Sequence, residues 1–346
     1  MAHAKDARDR RTVNLALQGG GAHGAFTWGV LDRLLEDERI AIDGISGTSA
    51  GAINAAVLAQ GHLKDGAQGA RAELDRFWHR LSELGWLSPV HRGWLERATG
   101  TWNLDDSPSA VWVDQLSRLV SPYQLNPLNL SPLRDLLAHM LDWDALRAPD
   151  SIKLFITATN VRTGKPRVFA RHELGPDALL ASACLPQIAQ AVVIEGEPYW
   201  DGGYMGNPSI WPLVYNCGSS DVVIVQVNPL TREGVPDTAA EIVNRLNEIT
   251  FNASLMAEMR AIAFAARLVE GDAHGPEIDR LKKMLVHMIE AEEAMETLGV
   301  ASKMNTDLDF LLFLKDLGRS TAGRWLHANF AALNHHSSID IRKVFL

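Results

Sequence analysis

From Asp43 to Ala56 the chain reads Asp43-Gly44-Ile45-Ser46-Gly47-Thr48-Ser49-Ala50-Gly51-Ala52-Ile53-Asn54-Ala55-Ala56, and few folds accommodate it. Ala41 to Ser46 reads as a strand and Ala50 onward as a small-residue helix, so Ser49 falls on the turn between them. Gly47 and Gly51 stand two residues to either side. A strand that reverses into a helix around one residue presses backbone and side chains together there, and glycine removes the Cβ atoms that would collide. Ser49 then sits on a sharp elbow, its hydroxyl clear of the sheet and beside the positive end of the next helix. A serine nucleophile needs this placement. Strings of this kind also occur as plain turns, so the rest of the chain must supply oxyanion donors and a base.

Upstream, Thr12 to Leu17 reads as a buried strand that runs into Gln18-Gly19-Gly20-Gly21-Ala22-His23-Gly24. From Ala25 the pattern is helical, with Phe26, Val30, Leu31, Leu34 and Leu35 on one face. In a parallel sheet this glycine loop and the serine turn would share the carboxyl end, where open α/β sheets place ligands. The loop has three readings. Gly19, Gly21 and Gly24 fit G-x-G-x-x-G with Asp43 as a ribose-binding acid, which makes a nucleotide- or dinucleotide-binding protein a competitor. Against it, Asp43 precedes the end of the second strand. In the second reading the N–H groups along Gly19, Gly20, Gly21 and Ala22, above all those of Gly20 and Gly21, point at the oxygen that turns negative when Ser49 attacks a carbonyl. The third is a tight turn without chemistry.

Far downstream, in Glu195-Gly196-Glu197-Pro198-Tyr199-Trp200-Asp201-Gly202-Gly203, Tyr199 and Trp200 suit a strand and the two glycines end it, so Asp201 projects from a strand terminus. Ahead of it lie Thr157-Ala158-Thr159-Asn160-Val161-Arg162-Thr163-Gly164 and Ala181-Ser182-Ala183-Cys184-Leu185-Pro186; after it comes Asn207-Pro208. With the glycine loop and the G-x-S-x-G turn, these blocks resemble the patatin-like phospholipases over residues 12 to 228. Two positions depart from the family pattern: His23 stands where Arg or Lys is usual, and Asn160 where an aspartate is usual. The resemblance implies a three-layer α/β sandwich with a mainly parallel sheet, and a Ser49/Asp201 dyad without histidine that cleaves carboxylic esters of lipids. It implies no metal or cofactor. An aspartate of pKa about 3.9 is a poor base at neutral pH, so the pocket has to raise it. A Ser-His-Asp triad is the nearest rival, with His274, His287, His327, His335 and His336 as later histidines; most lie in stretches that read as helical.

The resemblance makes 12–228 the catalytic domain and 229–346 a helical C-terminal extension. Within the first, 62–150 is an insertion holding Trp78, Trp86, Trp94, Trp102, Trp112 and Trp143, six of the ten tryptophans. It is either a cap that touches a lipid interface or ordinary core. In the extension Leu281, Met284, Leu285 and Met288 form a stripe at helical spacing, so this stretch is expected to be helix. The extension is a candidate lid, homodimer contact or partner-binding piece, and the ending SSIDIRKVFL has no assigned role. With 346 residues, 47% of them hydrophobic, a large core is available. A net charge of −9 disfavours a nucleic-acid surface. Cys184 and Cys217 are too few for a disulfide framework, and no signal-peptide or membrane-spanning run is evident. The expectation is a cytoplasmic protein, soluble or peripheral at a membrane.

Overall fold

The structure, a computed structural model, describes residues 10–85, 88, 90, 92–93, 96, 100–270 and 282–346. Trp86, Trp94, Leu281 and His274 lie outside the described residues. The strands are β1 (Arg11–Leu17), β2 (Ile40–Thr48), β3 (Lys153–Asn160), β4 (Pro166–Ala170), β5 (Val192–Ile194), β6 (Glu197–Asp201), β7 (Asp221–Val225) and β8 (Leu285–Ile289). They form one sheet in the order β5-β6-β3-β2-β1-β7-β8, with β4 also on β3. The pairs joining β3, β2, β1, β7 and β8 are parallel, and β4, β5 and β6 pair antiparallel. The helices used below are α1 (Gly24–Glu36), α2 (Ala50–Glu83, broken at Asp65-Gly66), α3 (Pro108–Leu119), α4 (Pro176–Ser182), α5 (Ala239–Glu270) and α6 (Leu308–Asn329).

Alternation along β1 sorts the chain into layers. Val13, Leu15 and Leu17 point into a core shared with α1, α2 and α6, while Ala16 on the other face joins Leu255 and Met259 of α5. Helices thus cover both faces of the sheet, the three-layer arrangement that the sequence implies. Trp78 belongs to the first core: its ring stacks on Trp28 at 6.1 Å, and its Nε1 donates to Asn54 Oδ1. Trp102 packs against Phe310 and Phe313 of α6. Among the described tryptophans of the insertion, only Trp112, 70% exposed on α3, has the disposition expected of an interfacial aromatic.

The C-terminal region corrects one expectation. Met284, Leu285 and Met288 are not a helical stripe; β8 runs through them, parallel to β7 with Val223 opposite His287. All of Met284-Leu285-Val286-His287-Met288-Ile289 but half-buried Leu285 is buried, on both faces, as strands of a parallel sheet are. Such a run has the length of a strand and cannot be told from a buried helix by periodicity. The chain end closes the second core. Phe345, with Ile339 and Ile341, packs beside β8, and Ser337 Oγ accepts from Val286 N–H.

A polar knot joins this end to the sheet. Buried Asp221 accepts from His287 Nε2 at 2.9 Å and from Asn334 N–H and Nδ2. Ser338 N–H donates to His287 Nδ1, which fixes the ring proton on Nε2. Asp221→Ala would leave the buried His287 Nε2 without an acceptor and take two bonds from exposed Asn334, and a loss of about 2 kcal/mol is expected, measured as a lower urea midpoint at unchanged m-value.

Candidate active site

Pairing along β3 explains how residues 152 apart in sequence come together. β2 and β4 both pair with residues 155–157 of β3, so they occupy opposite edges. β4 and β6 both pair with residues 158–159, so these too are on opposite edges. β6 therefore continues along the edge that β2 leaves. Thr48 lies opposite Thr157, and Asp201 lies opposite Ala158, the next residue. The two strands end head to head, with Ser49 just past one tip and Asp201 at the other.

Ser49 takes φ 53° and ψ −123°, a conformation that costs an L-residue about 1–3 kcal/mol and that surrounding contacts must enforce. Gly47 supplies the room: a Cβ there would stand 2.7 Å from the Gly51 carbonyl carbon. Ser182, the last residue of α4, holds the elbow by accepting Ser49 N–H on its Oγ at 2.9 Å. Thr48 Oγ1 donates to Gly206 O, which ties the elbow to the loop that follows Asp201.

Asp201 is only 1% exposed, and Ser49 8%. Burial pushes the Asp201 carboxyl up to about 7, against the opposing pull of Gly203 N–H, the Ser49 hydroxyl and the Lys303 charge. Gly203 N–H donates to Oδ1 at 2.7 Å. Oδ2 is buried and meets no donor of ordinary hydrogen-bond geometry among the described residues. A carboxylate with a free oxygen beside a serine hydroxyl, poised near neutrality, has the attributes of a general base.

The glycine loop lies against the same corner. A Cβ on Gly19 would come within 2.7 Å of Ser49 Cβ. Gly19 N–H is itself engaged, donating to Asn207 Oδ1 at 2.7 Å. The N–H groups of Gly20 and Gly21 meet no acceptor among the described residues, and Ala22 follows within the short 3-10 helix Gly21–His23. Buried Gln18 underpins the loop: its Nε2 donates to Asn207 O and Asn252 Oδ1, and its Oε1 accepts from Val227 N–H and Asn228 N–H. Asn228 Nδ2 also donates to Gly19 O. Gly202 and Gly203 let the Asp201 loop pass close to β3 and to Phe251 of α5.

Other candidates from the sequence lie elsewhere. Asp43 accepts from Lys153, Gly218 N–H and Ser219 N–H toward the start of β2, away from the glycine loop. His287 is in a strand, not a helix. Its partner Asp221 stands four residues before Val225, and Val225 is level with Leu17 and Gly47, so it lies about 13 Å down the sheet. His327, His335 and His336 are exposed. His23 is buried, and burial first, then the Lys303 charge, lowers its pKa well below the usual imidazole range. Ser302 Oγ spends its proton on Gly299 O, so His23 Nε2 carries the hydrogen of their 2.7 Å bond. It is therefore a neutral ring beside the glycine loop.

Gln18, Ser182, Asn228 and α5 were not legible as parts of this site, because each acts through tertiary contacts. The Asn207-Pro208 pair was visible in the sequence, but its hydrogen bond to Gly19 was not.

A family model described as Patatin-like phospholipase matches residues 15–214, which include the glycine loop, the elbow and Asp201. Among solved structures, the chain is similar to the crystal structure of VipD from Legionella pneumophila, at 16% identity and a TM-score of 0.34. That match covers 88% of this chain and 67% of the other. No curated protein matches.

Proposed function

The chain belongs to the patatin-like phospholipase family, and from that premise we propose that it is a serine acyl hydrolase acting on carboxylic esters of lipids through Ser49 and Asp201. Ser49 Oγ attacks the ester carbonyl as its proton passes to Asp201. The Gly20 and Gly21 N–H groups receive the oxyanion, each such donor contributing about 2.7 to 4 kcal/mol to the transition state. The proton leaves with the alcohol. Water activated at the same carboxylate then releases the acyl group from Ser49. The observation that carries this reading is the head-to-head ending of β2 and β6 on one edge of β3.

Lipid esters as the substrate class are supported by the family and by apolar side chains that α3 and α5 hold out to solvent. These are Val111, Trp112 and Leu119 on the first and Ile242, Leu246 and Ile249 on the second. Asp105, ahead of α3, joins the two regions by accepting from Asn244 of α5. A peripheral contact with a lipid surface through this side is part of the proposal. Among the described residues, no helix is long and apolar enough to cross a membrane.

Labelling with a fluorophosphonate, followed by peptide mass mapping, tests the nucleophile. A single adduct on the Ser49 peptide is expected, formed faster as pH rises through about 7, where Asp201 loses its proton. An adduct on another residue, or none while ester turnover proceeds, overturns the assignment.

A further inference from the structure

Lys303 lies in the 3-10 turn Val300–Met304, far in sequence from Ser49, Asp201 and the glycine loop. Its main chain packs directly on Gly21, where a Cβ would strike the Lys303 carbonyl oxygen. Its Nζ turns inward and donates to Asn228 Oδ1 at 2.8 Å and to Asn247 Oδ1 at 2.7 Å, and it stands 5.5 Å from the centroid of Phe251. Both routes lead to the proposed chemistry. Asn228 holds the carbonyl of Gly19, and Phe251 packs on Gly203, two residues after Asp201.

The partners of this ammonium are two neutral amide oxygens. The carboxylates that act on it, Glu248 on α5, Asp105 ahead of α3 and Asp201 in the site, do so without a direct ion pair among the described residues, and Arg232 opposes them. Glu248 is already engaged by Arg232 and Arg245. A cation withdrawn from water without an anion in contact is costly, and packing alone would be served better by a neutral chain. The glycine loop's own polar side chain, His23, is neutral and cannot supply positive charge there.

We propose that Lys303 is a positioning residue for acyl transfer: through Asn228 its ammonium steadies the glycine loop, and its charge favours the anion that develops at the Gly20 and Gly21 N–H groups. This rests on the acyl-hydrolase reading above. The charge is also felt at Asp201, where it favours the carboxylate. Desolvation lowers the Lys303 pKa to about 8, so the cation is present at neutral pH and lost in mild alkali.

The test is kcat and KM against pH for a soluble p-nitrophenyl ester, using wild type, Lys303→Arg and Lys303→Met, with Ser49→Ala as the reference for serine-dependent turnover. Wild type is expected to give a bell, rising near 7 with Asp201 and falling near 8 with Lys303. Lys303→Arg should keep kcat within about threefold and lose the falling limb, because a guanidinium stays charged. Lys303→Met should lose about 10- to 100-fold in kcat with little change in KM, the signature of an interaction made in the transition state. Its rising limb should move to higher pH. A falling limb shared by wild type and Lys303→Arg overturns the proposal, as does a Lys303→Met enzyme with wild-type kcat and limbs. Should Lys303→Met not fold, the comparison of wild type with Lys303→Arg decides alone. Undiminished turnover in Ser49→Ala would instead overturn the acyl-hydrolase reading itself.

Discussion

Ser49→Ala is expected to lower kcat/KM for ester hydrolysis by at least about 10⁴-fold and to leave the fold and its melting temperature nearly unchanged. The two halves have separate causes. The elbow is held through the main chain, by Ser49 N–H on Ser182 Oγ and by the Gly47–Gly51 approach, and alanine keeps both. Alanine also has a Cβ, so the backbone cost at φ 53° is the same. What disappears is the hydroxyl, whose only role in the proposed chemistry is to attack the ester and hand its proton to Asp201. Ser49→Gly makes a useful companion: equally inactive, it relieves the conformational strain and should be more stable than Ser49→Ala by roughly 1 kcal/mol, read as a higher melting temperature. Steady-state rates with a p-nitrophenyl ester and thermal melts of the three proteins check all of this. If Ser49→Ala retains more than about a hundredth of wild-type turnover, another residue is the nucleophile.

The elbow and the glycine loop were legible because each is written in consecutive residues whose backbone has no alternative: Gly47 and Gly51 around one serine, and a strand that runs into Gly19-Gly20-Gly21. Asp201 was legible as a strand end with two glycines after it. Its meeting with Ser49 followed only from the family resemblance, because it depends on β6 taking over the edge of β3 where β2 stops, a long-range register that no local pattern encodes. The same limit explains β8. Its mostly buried apolar run suits either a strand or a helix turned inward, and only the open edge of β7 selects the strand. Buried polar groups were the least legible. Gln18, Asn228 and Lys303 look like ordinary surface residues in the sequence, the bond from Gly19 to Asn207 is equally invisible there, and their meaning lies in the partners that folding brings to them.

The strongest coupling between chemistry and stability is expected at Asp201. With its pKa raised to about 7 by burial, the folded protein binds this proton more tightly than the unfolded chain, whose aspartates titrate near 3.9. The sign follows from linkage: the stabilisation is complete below about pH 4 and is lost as pH rises through about 7. Above that, the native state carries a buried anion whose Oδ2 lacks a partner of ordinary geometry among the described residues. Asp201→Asn removes the anion while its amide oxygen can still accept Gly203 N–H. The variant should therefore be more stable than wild type at pH 8.5 by on the order of 2 to 4 kcal/mol and close to it at pH 4, because three pKa units set a ceiling of roughly 4 kcal/mol. Glu258, which burial also raises to about 7, titrates equally in both proteins and cancels from the difference. Turnover should move the opposite way, falling about 10³-fold or more with the loss of the base. Urea denaturation at the two pH values, paired with ester kinetics, measures both. An Asp201→Asn protein that is no more stable than wild type at pH 8.5, or one that still turns over at the wild-type rate, would mean that this carboxylate is neither strained by its burial nor the group that takes the serine proton.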